Sequence, residues 1–175
     1  MRNMMYVAVV AAAVAAMAMT TGARADEEAI ALDKLPKAVL EAVKKRFPKG
    51  ELTEAAKETE GDKVSYEVSV KDGETKMDVT FAPDGKLLMI ETVIAAKDLP
   101  KAVAAAIDEK YPKAVFKTVE SVVKVTDGKE ELDYYEVLLT TADKKDMEVQ
   151  VFADGKIKAT EEKKDEPKKD EKKDK

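Results

Sequence analysis

An α+β protein built from two tandem helix-plus-antiparallel-sheet units is what this sequence predicts, with helices on one face and an open sheet face on the other. Three observations carry that prediction. A set of short motifs occurs twice in the same order. Each copy opens on an apolar stripe of helical period. Each stripe is followed by segments that alternate apolar and polar residues, the period of a strand.

The repeat is collinear. Leu35-Pro36-Lys37-Ala38-Val39 returns as Leu99-Pro100-Lys101-Ala102-Val103, 64 residues later. Arg46-Phe47-Pro48-Lys49 returns at the same offset as Lys110-Tyr111-Pro112-Lys113. Tyr66-Glu67-Val68 returns as Tyr135-Glu136-Val137, offset by 69, and Asp84-Gly85-Lys86 as Asp154-Gly155-Lys156, offset by 70. The offset grows only in the middle. That is the pattern of a duplication with a loop insertion in the second copy near Thr126 to Glu131. The predicted units are 26–94 and 95–160.

Each element follows from local chemistry. Leu35, Val39, Ala42, Val43 and Phe47 lie on one helical stripe, and Leu99, Val103, Ala106, Ile107 and Tyr111 repeat it. Pro36 and Pro100 suit a first helical turn, where the missing N–H would be unpaired anyway. Pro48 and Pro112 stop the helices. Strands are then predicted in the first copy at Leu52 to Thr59, Val64 to Lys71, Met77 to Phe81 and Lys86 to Ile94. In the second they fall at Val115 to Val125, Tyr134 to Thr140, Asp146 to Val151 and Lys156 to Thr160. Asp72-Gly73 and Pro83-Asp84-Gly85 mark turns. Met77 and Met147 fall at matching inward positions and read as core filling.

The ends read differently. Arg2 precedes an uncharged apolar run, Met4 to Met19, and Ala23-Arg24-Ala25 supplies a small-x-small cleavage site. Residues 1–25 therefore read as a secretory signal peptide. The run is shorter than a bilayer span requires, and no Cys follows it for lipid attachment. The exported chain is expected to be periplasmic or secreted and not membrane-integral. Residues 161–175 hold seven Lys, seven Asp or Glu, one Pro and no apolar side chain, the composition of a disordered, solubilising tail.

Composition excludes several chemistries. There is no Cys and no His. Thiol chemistry, disulfides, His-based acid–base catalysis and nearly all zinc sites go with them. The formal net charge is −5, and it becomes more negative when Arg2 and Arg24 leave with the leader. An acidic body is wrong for nucleic acid. The Asp-Gly pairs lack the spaced oxygen ligands of a calcium loop and read as turns. Carboxylate catalysis would need a pocket that a Trp-free sequence of strict strand alternation does not announce. No enzyme activity and no cofactor are expected.

The four repeated motifs (L-P-K-A-V, [RK]-[FY]-P-K, Y-E-V and D-G-K) resemble PepSY-like domains, closest to the β-lactamase-inhibitor-like subgroup. The resemblance covers both copies. It implies exported bacterial proteins with a helix packed on an antiparallel sheet. In the inhibitor that lends the subgroup its name, two such units form a concave sheet that grips an enzyme, and PepSY domains are linked to restraint of peptidases. This sequence departs by having no Cys and no inhibitory loop that matches residue by residue.

The expected role is an exported, non-enzymatic binding module, an inhibitor of an extracytoplasmic enzyme such as a peptidase, acting through its open sheet face. The alternative is a binder of small ligands or cell-envelope polymers using the cleft between the units. Aligning Tyr66 with Tyr135 sets Ser65 against Tyr134 and Ser69 against Leu138. The second copy thus carries Tyr134, Glu136 and Leu138 on its outward face, and these three are the candidate partner-binding residues. Packing between copies, or cover by the inserted loop, would also explain the apolar pair. The expected partner is another extracytoplasmic protein.

Overall fold

Backbone pairing, more than residue preference, decides the length of the strands here. The computed structural model describes residues 26–163; the predicted leader and residues 164–175 lie outside the described residues. The strands are β1 (Asp26–Ala29), β2 (Glu51–Glu60), β3 (Lys63–Asp72), β4 (Thr75–Phe81), β5 (Leu87–Val93), β6 (Val115–Thr126), β7 (Lys129–Thr140), β8 (Asp146–Val151) and β9 (Ile157–Lys163). They form one nine-stranded sheet in chain order, every neighbour antiparallel. Helix α1 (Lys37–Arg46) lies between β1 and β2, and α2 (Lys101–Lys110) between β5 and β6. The α+β class with an open antiparallel sheet is as expected. β5 pairs with β6 from Met89–Lys124 to Val93–Glu120, so the sheet runs unbroken through the middle of the chain.

Both helices sit on one face because their stripes need it. Leu35, Val39 and Val43 pack with Val68, Val70, Val79, Phe81 and Ile90 in one buried cluster. Leu99, Val103 and Ile107 pack with Val119, Val137, Leu139, Val149 and Val151 in another. Val39, Val43, Val103 and Ile107 are wholly inaccessible, and each such side chain contributes about 1.5–3 kcal/mol. Val123 of β6 packs against the first cluster, across the β5–β6 pairing. The prolines stand one place earlier than expected. Pro36 and Pro100 are the N-cap residues (φ −53° and −56°), each preceded by a 3-10 turn, Leu32–Lys34 and Ala96–Asp98. Phe47 and Tyr111 leave the helix at φ −122° and −128°, as a residue before proline should.

Three sequence expectations need correction. Strand β1 was not anticipated, because Asp26-Glu27-Glu28-Ala29 has no strand signature. Its backbone pairs with Ala56 to Thr59 of β2. The insertion near Thr126 to Glu131 is not a loop. It lengthens β6 and β7 to 12 residues each, closed by Asp127-Gly128 with φ of 51° and 76°. Two positive φ values at the centre of a hairpin suit the twist of its strands. The charged tail begins later than residue 161, since Glu161, Glu162 and Lys163 belong to β9 and pair with Glu148, Met147 and Asp146. Ladder hydrogen bonds hold them there despite their charge, helped by ion pairs from Lys163 to Glu148 and from Lys145 to Glu162.

Irregularities recur at matching places. The pairing of β2 with β3 skips Thr53, and that of β6 with β7 skips Lys117. The β4–β5 pairing skips Leu88, and the β8–β9 pairing skips Lys158. Gly85 and Gly155 have φ of 84° and 90°, and an added Cβ would stand 2.6 Å and 2.7 Å from the carbonyl oxygens of Ala38 and Ala102. Each turn therefore presses on a helix where only glycine fits. Gly155→Ala is expected to cost about 2 kcal/mol more than Gly73→Ala, because only there does the added methyl overpack against a helix carbonyl. Gly73 shares the positive φ but has open space around it. Equal midpoint shifts in urea would contradict that account.

Candidate functional site

Alternation sorts the strand residues onto two faces. On β3, Tyr66, Val68 and Val70 face the helices, and Ser65, Glu67 and Ser69 face away. On β7, Tyr135, Val137 and Leu139 face the helices, and Tyr134, Glu136 and Leu138 face away. No described element covers that second face. The structure places all three candidate residues on it, but not equally open to a partner. Leu138 and Glu136 are half-buried, whereas Tyr134 is only 7% exposed.

Tyr134 is packed by its own sheet. Val122, fully buried, stands directly opposite on β6. The ammonium of Lys158 lies 3.5 Å from the ring centroid, donates to Asp133 Oδ2 at 3.1 Å and also approaches Phe152. Burial, with Glu136 next, pushes the phenol pKa up. The corresponding first-half positions are truncated. Ser65 stands opposite Glu58 and donates to it at 2.9 Å. Ala82 and Leu88 stand where the second half has Phe152 and Lys158. A cleft of about 590 Å³ lies there, lined by Val64, Ser65, Ala82, Pro83 and Leu88 together with Glu60, Asp62 and Lys63.

A second feature was not read from the sequence. Carboxylates cross the open face on a diagonal, from Glu67 on β3 through Asp78, Glu91, Glu120 and Glu136 to Glu148 on β8. Asp78 stands directly opposite Glu91, Glu120 opposite Glu136, and Glu148 opposite Glu161. All but Glu161 are half-buried. Like charges set directly opposite one another destabilise a sheet. Burial first, and the neighbouring carboxylates next, push Glu67 and Glu91 to a pKa of about 8. Glu136 rises to about 7 by burial and Glu148, opposed by the amide of Gln150, which donates to it at 2.9 Å. Glu120 is raised for the same reasons. The outward alternation of these residues is visible in the sequence; their adjacency depends on strand order and register.

This arrangement limits the chemistry available. Among the described residues, no group of three or more acidic side chains is placed to hold a metal ion. The row lies on an open face rather than in an enclosed pocket that would exclude water. Where the two halves meet, the continuous sheet leaves a groove of about 370 Å³ lined by residues such as Lys76, Val93, Phe116 and Thr118. No helix among the described residues is long and apolar enough to cross a membrane.

Comparison with known proteins agrees with the motifs. A family model described as "Putative beta-lactamase-inhibitor-like, PepSY-like" matches residues 23–89 and again 64–159. A crystal structure from Bacteroides eggerthii, among "putative periplasmic proteins", superposes with a TM-score of 0.59 at 16% identity, covering 73% of this chain and 88% of that one. A DUF2874 family protein from Bacteroides uniformis gives 0.58 at 17% identity over the same shares. A BLIP-like protein from Bacteroides fragilis gives 0.52 at 20% identity, covering 72% of this chain and 84% of that one. At these identities the likeness is one of fold. No curated protein matches the chain.

Proposed function

Because this chain belongs to the PepSY-like, β-lactamase-inhibitor-like family, we propose that it is an exported, non-catalytic module that binds another extracytoplasmic protein across its open sheet face. In this reading residues 26–94 and 95–160 are two copies of one helix-plus-sheet unit, and the bound protein is an enzyme, such as a peptidase, that the module restrains. Export is supported by the leader-like sequence of residues 1–25.

One observation carries the reading. The halves keep apolar groups or glycine wherever a side chain or turn meets a helix, whereas the face that no described element covers keeps its acids (Glu67 and Glu136, Asp78 and Glu148) but changes character beside them. Val39 and Val103, Phe81 and Val151, Gly85 and Gly155 are equivalents that do the same packing. On the open face, Glu58 with Ser65 is replaced by Val122 with Tyr134, and Ser69 by Leu138. Fold demands explain the agreement. They do not require the difference, and a sheet face bearing half-buried apolar groups beside polar ones suits protein recognition.

A photo-crosslinking residue at Leu138 tests this directly. Expressed with its native cell envelope, that variant should form a discrete covalent adduct. The same residue at the exposed, helix-borne Lys44 should not. Adducts from Lys44 alone would place the contact on the wrong side of the molecule and end the proposal.

A further inference from the structure

We propose that the carboxylate diagonal from Glu67 to Glu148 is a track for an extended polypeptide segment bearing Lys or Arg side chains. This rests on the reading of the open face as the recognition surface and adds the chemistry of what it recognises.

Charge complementarity is the first ground. Among the described residues, the one ion pair that reaches the row is Lys163 to Glu148, at its end. Asp78 and Glu91 oppose each other without a cation between them, as do Glu120 and Glu136. Glu67 and Glu91 hold their protons up to about pH 8, so a partner's ammonium or guanidinium would displace those protons and turn each crowded pair into a shared acceptor site, and guanidinium suits carboxylates best.

The second ground is independent of the acids. The hydroxyl of Thr80 is buried, in a residue only 5% exposed, and finds no hydrogen-bond partner among the described residues. Buried polar groups left unpaired are uncommon and call for an explanation. Thr80 lies on this face, directly opposite Glu67 on one side and Met89 on the other. The Thr80 hydroxyl has unused accepting capacity, and Lys and Arg, which offer only donors, would fill it. Met89, half-buried, is the flexible side chain that can move aside.

The dimensions fit a peptide. The row crosses six strands, β3 to β8, spaced about 4.8 Å apart, and steps two residues along the strands three times, so it runs roughly 30 Å. An extended segment of about nine residues covers that length. With side chains alternating, every second one would point at the sheet. Nucleic acid and anionic membrane carry the wrong charge for this surface.

The probe is a synthetic ten-residue peptide of alternating Lys and Thr, titrated into the purified protein by calorimetry and by backbone amide NMR. Binding should shift amides along β3 to β8. Replacing Asp78→Asn, Glu91→Gln and Glu120→Gln together should weaken it at least tenfold. These neutral substitutions relieve repulsion, so the variant should fold. Replacing Asp98→Asn, Asp108→Asn and Glu109→Gln removes the same number of carboxyl groups from the other side of the molecule and should change affinity less than twofold. Equal weakening by both variants, shifts confined away from the row, or no binding would each overturn the cationic track. If an adduct still forms from Leu138 in those cases, the open-face reading stands and only its chemistry has failed.

Discussion

Tyr134→Ser should cost the protein about 4 kcal/mol of stability, even though the residue stands on the face that no helix among the described residues covers. Deleting a buried aromatic ring costs roughly 3–5 kcal/mol because the cavity collapses only in part. Here the cavity would open against Val122, which is wholly inaccessible. The cation over the ring adds about 1 kcal/mol, since Lys158 is already held at the site by Asp133. Leu138→Ser, at a half-buried position, should cost about 1 kcal/mol. Urea unfolding gives both values from the midpoint, with the slope unchanged. A Tyr134→Ser cost below 1 kcal/mol would mean the ring is not part of the packed structure. Tyr134 is therefore a poor residue to truncate in a binding test, and Leu138 and Glu136 are the better ones.

The protein should also lose stability as the pH rises from 5 to 9. Glu67 and Glu91 ionise near pH 8 and Glu136 near 7 in the folded protein, against about 4.3 for an unfolded glutamate. Between those values the folded state holds more protons than the unfolded one, so stability falls with pH. The favourable contribution is whole below pH 4 and gone above 9. One pKa unit corresponds to 1.36 kcal/mol, but solvent reaches part of each side chain and screens the effect. A combined loss of about 3 kcal/mol is expected, or a fall of roughly 10 °C in Tm. Glu91→Gln should flatten the profile, stabilising at pH 9 and changing little at pH 5. Stability that rises across this range in the parent protein would contradict the picture of crowded, half-buried carboxylates.

The helices and the strands were legible because each rests on a short-range pattern. Leu35, Val39 and Val43 repeat at helical spacing, and Val64 to Val70 alternate. The strand β1 was not legible, because pairing with β2 holds it and its own residues do not favour a strand. The same applies to Glu161 to Lys163. The insertion is visible in the changing offset, but the offset does not show that it is strand rather than loop. Its residues extend a hairpin that Asp127-Gly128 closes. For the candidate site, Glu136, Leu138 and Tyr134 were placed on the outward face by alternation alone. Alternation cannot reveal that Lys158, from two strands away, caps the Tyr134 ring.

Local periodicity and the repeated motifs determined by themselves the α+β class, the turns at Asp72-Gly73 and Asp84-Gly85, and the inward faces of β3, β4, β7 and β8. They also identified the family, because its motifs are those same fold-determining residues. Only the tertiary structure decided that Glu91 of β5 and Glu120 of β6 share one row, since that follows from β5 pairing with β6 across helix α2. It alone decided that Tyr134 is buried and that Thr80 is left without a partner. The physical reason is range. Side-chain direction is set within two residues along a strand. The neighbours a side chain meets are set by hydrogen bonds to a strand that lies dozens of residues away.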